Sequence, residues 1–200
     1  SIMIGLVGMI CSCAIGTTLG LLAGYFGGKV DAVIMRIADV QLSFPSMLIA
    51  LFIMSVFGRG VGKLLIALTM VGWVTYARTV RGETLSVKKM EYVEAARAIG
   101  SNSFHTVFSH ILPNSLAPII VQATLRVGAS IISASSLSFL GIGVPLPAPE
   151  WGAMLSGGRA YIRDYSYMTL FPGLAIMLTV VSLNLVGDAL RDAIDPKLKK

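Results

Sequence analysis

The feature that most constrains this chain is where its charges are missing. Four stretches contain no Asp, Glu, Lys or Arg: Ser1–Gly28, Val40–Gly58, Leu64–Ala77 and Tyr165–Gly187. A fifth, Ile111–Pro149, is interrupted only by Arg126. A helix needs about 20 apolar residues to cross the hydrocarbon of a bilayer, where it satisfies its own backbone polar groups. All the stretches but Leu64–Ala77 reach that length or fall just short. In the short one, Lys63 and Arg78 can snorkel from the ends. The pattern predicts an all-α integral membrane protein with five transmembrane helices, largely over Gly5–Gly24, Pro45–Phe57, Leu64–Arg81, Asn114–Leu140 and Met168–Gly187. Composition agrees: the 200 residues are 55% hydrophobic and 13% charged, against about 25% charged in ordinary globular domains. Too few charges remain to cover a water-facing surface, which excludes most soluble folds, disordered chains and nearly all nucleic-acid readers.

The net charge of +6 then needs a topological reading. Lys29, Arg36, Arg78, Arg81, Lys88, Lys89, Arg97, Arg191, Lys197, Lys199 and Lys200 fall on one side of the predicted spans. Only Arg59, Lys63, Arg159 and Arg163 fall on the other. The bias of Lys and Arg toward the cytoplasm puts the larger group inside the cell. The basic balance is thus explained without nucleic acid. Cys11 and Cys13, two apart on a helix, point to different faces and read as apolar fillers rather than a disulfide. The chain opens at Ser1 directly into apolar sequence without a charged n-region. No signal peptide is expected, and the N-terminus reads as truncated.

Within the first span Gly8, Ser12, Gly16, Gly20 and Gly24 recur every four residues, a stripe of small side chains that lets another backbone approach. Ser130, Ser133, Ser135, Ser136 and Ser138 give the fourth span a similar surface. Pro145, Pro147 and Pro149 with Gly141 and Gly143 end that span near residue 140. A compact external loop, 141–164, is expected next, with a short helix around Trp151–Leu155.

The most charged segment, residues 82–112, lies between the third and fourth spans and is too long for a mere connector. Glu91–Ile99 reads as a short helix with Val93, Ala96 and Ile99 on an apolar face that wants a partner. Gly100 suits the position after its end, and Ser101 or Asn102 can cap a second short helix running to His110.

These residues resemble a known pattern. Glu94-Ala95-Ala96, Gly100 and Leu112-Pro113 resemble the EAA loop of ABC importer permeases. His110, where the general pattern has Ile, looks like the peptide-permease branch. Met35–Leu51, Ser136–Leu155 and Gly187–Leu198 are similar to the C-type permease subunit of dipeptide, oligopeptide and nickel importers, so the resemblance covers essentially the whole chain as a single permease domain, 1–200. It implies a six-span subunit with a cytoplasmic N-terminus, of which five spans are seen here. It implies that the loop is a coupling helix docked in a groove on a cytoplasmic ATPase. The implied partners are a homologous B-type permease subunit, two ATP-binding subunits that carry ATP and Mg, an extracytoplasmic solute-binding protein and the lipid bilayer. The implied place is a bacterial or archaeal plasma membrane, the inner membrane if Gram-negative. The implied cargo is di- or oligopeptide, with nickel or metal chelates, opines or glutathione as alternatives. The chain itself has no GxxxxGK[ST] and is not expected to be an enzyme or to hold a cofactor.

Arg126 sits near the middle of the fourth span, where a charge costs at least about 2.5–3.5 kcal/mol unless paired or wetted. It stands either as a translocation-path residue that meets a substrate carboxylate, or as a structural partner for a carbonyl or a neighbouring subunit. Arg36 and Asp39, three apart, can pair on one helix before Phe44-Pro45, where a bend is expected; an elbow and a gate are the two readings. Glu150 and Trp151 either meet a delivered substrate or its binding protein, or stabilise the loop. His105 and His110 lack companions at metal spacing. A secondary transporter or channel would need broken helices with intramembrane acids. An intramembrane enzyme would need a nucleophile–base pair or a metal cluster, and neither pattern is present.

Overall fold

The computed structural model describes residues 1–194, and among these the chain is helical and has no strand. Lys197, Lys199, Lys200 and the end of the Gly187–Leu198 motif lie outside the described residues. Nine helices follow in order: α1 Ile2–Phe26, α2 Gly28–Leu42, α3 Ser46–Phe57, α4 Val61–Val87, α5 Glu91–Ala98, α6 Ser103–His105, α7 Leu112–Phe139, α8 Trp151–Gly158 and α9 Tyr167–Ile194. A π-helical turn, Thr106–Ile111, joins α6 to α7. Together they form one helical stretch of 37 residues, Ser103–Phe139.

The bundle is organised by α1 lying along α4. Each small residue of the α1 stripe meets α4: Gly8 faces Leu68, Ser12 faces Gly72, Gly16 faces Trp73 and Tyr76, Gly20 faces Ala77 and Val80, and Gly24 faces Thr84. A Cβ at Gly20 would lie 2.6 Å from the Ala77 carbonyl oxygen and 2.8 Å from Val80 Cβ. Only glycine permits backbones this close. The Ser12 hydroxyl donates within its own helix to Gly8 O (2.7 Å) and across to Leu68 O (3.3 Å), so the one polar member of the stripe is satisfied. Helix α7 closes the next side, with Ile131 over Gly5. In turn α9 lies on α7, through Val180 and Asn184 at Gly128 and through Leu125 at Gly187.

Helices α2 and α3 run back along α4 as a pair bent by 92°. The bend falls at Phe44-Pro45, as the sequence predicts, because Pro45 cannot donate to the preceding turn. The expected Arg36–Asp39 pair is not formed. Asp39 pairs with Arg78 of α4 instead, and Asp31 accepts from both Arg81 Nε (2.5 Å) and Arg81 Nη2 (2.6 Å). Trp73 Nε1 donates to Gln41 Oε1 (3.0 Å), while Gln41 Nε2 donates to Val71 O (3.1 Å). The polar groups of α2 therefore fasten it to α4 rather than to itself.

The five charge-poor stretches correspond to α1, the α2–α3 pair, α4, α7 and α9. Among the described residues three helices are long and apolar enough on their own to cross a bilayer, α1, Ser103–Phe139 and α9, and the bent α2–α3 pair makes a fourth if it is one span. Helix α4 has 27 residues but carries Lys63, Arg78, Arg81 and Glu83. It tolerates them because Lys63 lies in its first turn and Arg78, Arg81 and Glu83 toward its other end, where Arg78 and Arg81 pair with Asp39 and Asp31; between them Leu64, Ala67, Val74, Ala77 and Val80 are fully buried or nearly so.

Helix contacts sort the ends as the charge count predicts. Lys29, Asp31, Arg78, Arg81, Lys88, Arg97 and Arg191 gather at one end with α5. Gly60, whose N–H donates to Gly143 O, and the 141–164 loop lie at the other.

Candidate functional site

Two places in this frame carry chemistry that packing alone does not require: the α5 segment at the basic end, and a cleft along α7.

Helix α5 begins with Glu91 and Glu94 in its first turn and Arg97 in its last, an order that complements the helix dipole. It ends in a Schellman motif: Gly100 N–H donates to Arg97 O (3.0 Å) and Ser101 N–H to Ala96 O (3.0 Å). Gly100 has φ +85°, in the left-handed region that a Cβ penalises. The sequence expectation of a turn-making glycine holds. Of the two cap candidates it is Asn102 that caps α6, its Oδ1 accepting from Phe104 N–H (3.3 Å). The expected second helix to His110 is instead three residues of α-helix followed by the π turn. Pro113 explains the change, since it cannot complete the regular ladder to residue 109.

The apolar face is split differently from the expectation. Val93 and Ala96 turn inward, and Val93 packs with Tyr25, Val87 and Ile111. Ile99 does not join them and is 87% exposed, because the helix ends one residue earlier and the chain turns away. The outward surface is Glu91, Glu94, Ala95, Arg97, Ala98, Ile99 and Gly100. Leu112 is half-buried at the start of α7 and Pro113 is exposed beside it. Tyr25 at the end of α1 is the bracket beneath α5. Arg97 stacks over its ring at 6.0 Å and Lys88 at 5.5 Å, and Lys88 Nζ donates to Tyr25 O (2.6 Å). Nothing in the sequence marked Tyr25, since Tyr25-Phe26 at a span end reads as an interface anchor. His105 and His110 lie with rings 5.7 Å apart, but among the described residues no group of three or more His, Cys, Asp or Glu could hold a metal.

The cleft, about 500 Å³, opens between α1, α3, α4 and α7. Arg126 of α7 projects into it and donates to Thr75 Oγ1 of α4 (2.7 Å). The serines of α7 divide by face. Ser130, Ser133 and Ser136 line the cleft with Ser12 and Ser46. Ser135 and Ser138 are buried on the other side and tie down the loop: Ser135 Oγ donates to Glu150 Oε1 (3.3 Å), and Ser138 Oγ accepts from Val144 N–H (3.2 Å). Tyr76 also lines the cleft, a residue the sequence reading passed over.

Glu150 is only 2% exposed. Its carboxylate accepts from Ser1 Oγ (2.7 Å) and from Ala153 N–H (2.8 Å), capping α8. That geometry makes Glu150 a staple for the 141–164 loop rather than an exposed contact. Helix α8 itself runs on to Gly158, past the predicted Leu155.

A sequence profile for binding-protein-dependent transport system inner membrane components matches residues 16–200. The glutathione transport system permease protein GsiD of Pectobacterium atrosepticum is 47% identical over 199 residues, 100% of this chain and 66% of that protein. The dipeptide transport system permease protein DppC of Alkalihalophilus pseudofirmus is 46% identical with the same coverage. The probable D,D-dipeptide transport system permease protein DdpC of Escherichia coli K12 is 43% identical over 98% of this chain and 66% of that one. The chain thus spans just under two thirds of the length of these relatives. Among solved structures, a chain of the inward-facing MetNI methionine ABC transporter superposes with a TM-score of 0.72 at 18% identity, covering 98% of this chain and 94% of that one. An amino acid ABC transporter gives 0.62 at 15% identity, covering 98% and 91%. At such identity the likeness is one of fold. The profile covers nearly the whole chain: the chain belongs to the family of binding-protein-dependent transport system inner membrane components.

Proposed function

We propose that this chain is the membrane-spanning core of a permease subunit in an ATP-driven importer of peptides, and that α5 is its contact with the ATPase. The carrying observation is the helix at the basic end whose outward face is left uncovered. Glu94, Ala95 and Gly100 lie on that face, Ala96 and the Schellman turn fix its tilt, and Leu112 and Pro113 lead from it into α7. Alanine at 95 allows close approach, and the flanking acids and Arg97 offer polar contacts around the rim. ATP and Mg belong to the two partner ATPases, which bind on the cytoplasmic side of the bacterial inner membrane. A B-type permease completes the path beside the cleft, and a solute-binding protein delivers at the 141–164 loop. Relatives named for dipeptide and glutathione favour peptides over nickel, metal chelates or opines. Among the described residues no Asp or Glu lines the cleft, which argues against an ion-coupled secondary transporter.

The test is uptake of labelled dialanine into proteoliposomes that hold the full-length subunit, its sister permease and both ATPases, with the binding protein outside. Uptake is expected to require ATP and to be lost in Gly100→Val while the complex still assembles. Uptake that runs on an ion gradient without ATP overturns the proposal.

A further inference from the structure

We infer that the cleft along α7 is a station that recognises the carboxylate of the solute in transit, with Arg126 and Tyr76 as its anion-binding pair. The inference rests on the import reading above and deepens it. Three observations converge. First, among the described residues Arg126 is the only charged one lining the cleft, and no carboxylate lies within 4.0 Å of it to form an ion pair. Its recorded partner is the Thr75 hydroxyl, which leaves guanidinium N–H donors free. Second, Tyr76 lines the same cleft and is 2% exposed, yet its hydroxyl has no hydrogen-bond partner. Buried phenols ordinarily find one. Third, the rest of the polar lining is hydroxyl, from Ser130, Ser133 and Ser136 among others.

One ligand type answers both deficits. A carboxylate accepts two parallel bonds from a guanidinium and a further one from a phenol. A neutral amide supplies a single carbonyl acceptor and no charge, and an ammonium group would be repelled. The cleft volume is in the range of small-ligand sites, large enough for a short peptide. The serine hydroxyls can donate or accept, so they tolerate varied peptide backbones without selecting a side chain. Recognition falls on the feature that every unmodified peptide shares, its terminal carboxylate. The alternative is that Arg126 is only a brace between α7 and α4.

The experiment is equilibrium binding of radiolabelled dialanine to the full permease–ATPase complex in nanodiscs without the binding protein, with dialaninamide, which keeps the ammonium and lacks the carboxylate, as the comparison. The wild-type complex is expected to bind dialanine saturably, about tenfold more tightly than dialaninamide. Arg126→Met is expected to remove that preference. Tyr76→Phe is expected to weaken dialanine several-fold and leave dialaninamide nearly unchanged, while Arg126→Lys keeps part of the preference. Equal binding of acid and amide by the wild type, or no saturable binding, overturns the station. So does unaltered dialanine affinity in both Tyr76→Phe and Arg126→Lys, and those two variants decide if Arg126→Met does not assemble. The import reading fails separately. Acid-selective binding that depends on Arg126, in a complex that shows no ATP-driven uptake, retains the station and removes the importer; ATP-driven uptake without acid selectivity does the reverse.

Discussion

Helices α1 and α4 meet backbone to backbone from Gly8 to Gly24, each small residue set against a matching position on α4. Helix α5 touches the rest of the protein through Val93, Ala96 and the ring of Tyr25, and shows its other face to the surroundings. The first contact is made of atoms that cannot move apart without opening the bundle. The second is made of side chains that can be replaced one at a time. One chain thus holds a rigid seam and a lightly hung appendage, and the appendage is the part proposed to meet a moving partner. A docking element needs an uncovered face, so fewer of its contacts remain for its own support.

Gly20→Leu should break the seam and with it the protein. The new side chain has only Ala77 and Val80 backbone and Cβ atoms in its way, and overpacking of this kind costs about 3 kcal/mol or more. The expected result is loss of the monodisperse peak in detergent chromatography, whereas Gly82→Ala, where nothing lies within 4 Å, should elute normally. Equal yields would mean that the seam opens more readily than its geometry implies.

Gly100→Val should leave the seam intact and damage only the appendage. A β-branched residue in the left-handed region costs about 1–2 kcal/mol, enough to unwind the Schellman turn. The melting temperature of the bundle is expected to hold while hydrogen exchange in residues 91–101 accelerates. Gly100→Asn, which tolerates that region better, should restore part of the protection.

Tyr25→Leu removes the ring beneath Arg97 and Lys88, a loss of about 0.5–1 kcal/mol per cation–π contact at a partly exposed site. Faster exchange is expected in α5, with α1 exchange unchanged below residue 20. Tyr25→Phe keeps the ring and should behave as the wild type.

The smallest effect concerns pH. The Arg81 guanidinium bonded to Asp31 holds its carboxyl below the usual value of 3.8, and the pair lies beyond the charge-free part of α4. A lowered carboxylate value means stability that is present at neutral pH and lost as pH falls below that usual value. Protection of α2 is expected to fall as pH drops from about 4 toward about 2, while the α1–α4 seam, whose facing residues include no Asp or Glu, keeps its own. Asp31→Asn should remove the pH dependence of α2 and weaken it at neutral pH.

What could be read from the sequence divides along the same line. The seam was legible because Gly8, Ser12, Gly16, Gly20 and Gly24 lie on one helix at one period, and periodicity is a local property. The ends of α7 and the bend at Pro45 were legible because proline and glycine act on their own backbone. The partners of Asp39 and Glu150 were not, because Arg78 reaches Asp39, and Ser1 and Ser135 reach Glu150, from other helices or from the start of the chain. Asp39 has Arg36 within reach on its own helix and still pairs with Arg78, since the neighbouring Ala38 packs against Trp73, Val74 and Ala77 of α4. Ile99 was misplaced by a single residue, the distance between a helix that ends at Ala98 and one that continues. The outward direction of Glu94, Ala95 and Gly100 follows from that ending, so the loop's membership was visible in sequence but its facing was not.

The unbroken helical run from Ser103 to Phe139 has a mechanical consequence. Arg126 stands 23 residues beyond Ser103, about 35 Å along the axis at 1.5 Å per residue, with Pro113 and Pro118 the residues between them that cannot donate to the helix ladder. The shaft is geared: a continuous helix carries a turn of the cytoplasmic rim toward the cleft, and the angle at which the guanidinium faces its surroundings depends on how the rim is turned. The wide turn at Thr106–Ile111 sets the phase of that gear. Tightening it to regular pitch would shift the register by one residue and swing every downstream side chain by about 100°. One extra or missing residue between Gly100 and Pro113 would therefore be felt less where it is made than far up the helix, as an arginine facing the wrong wall.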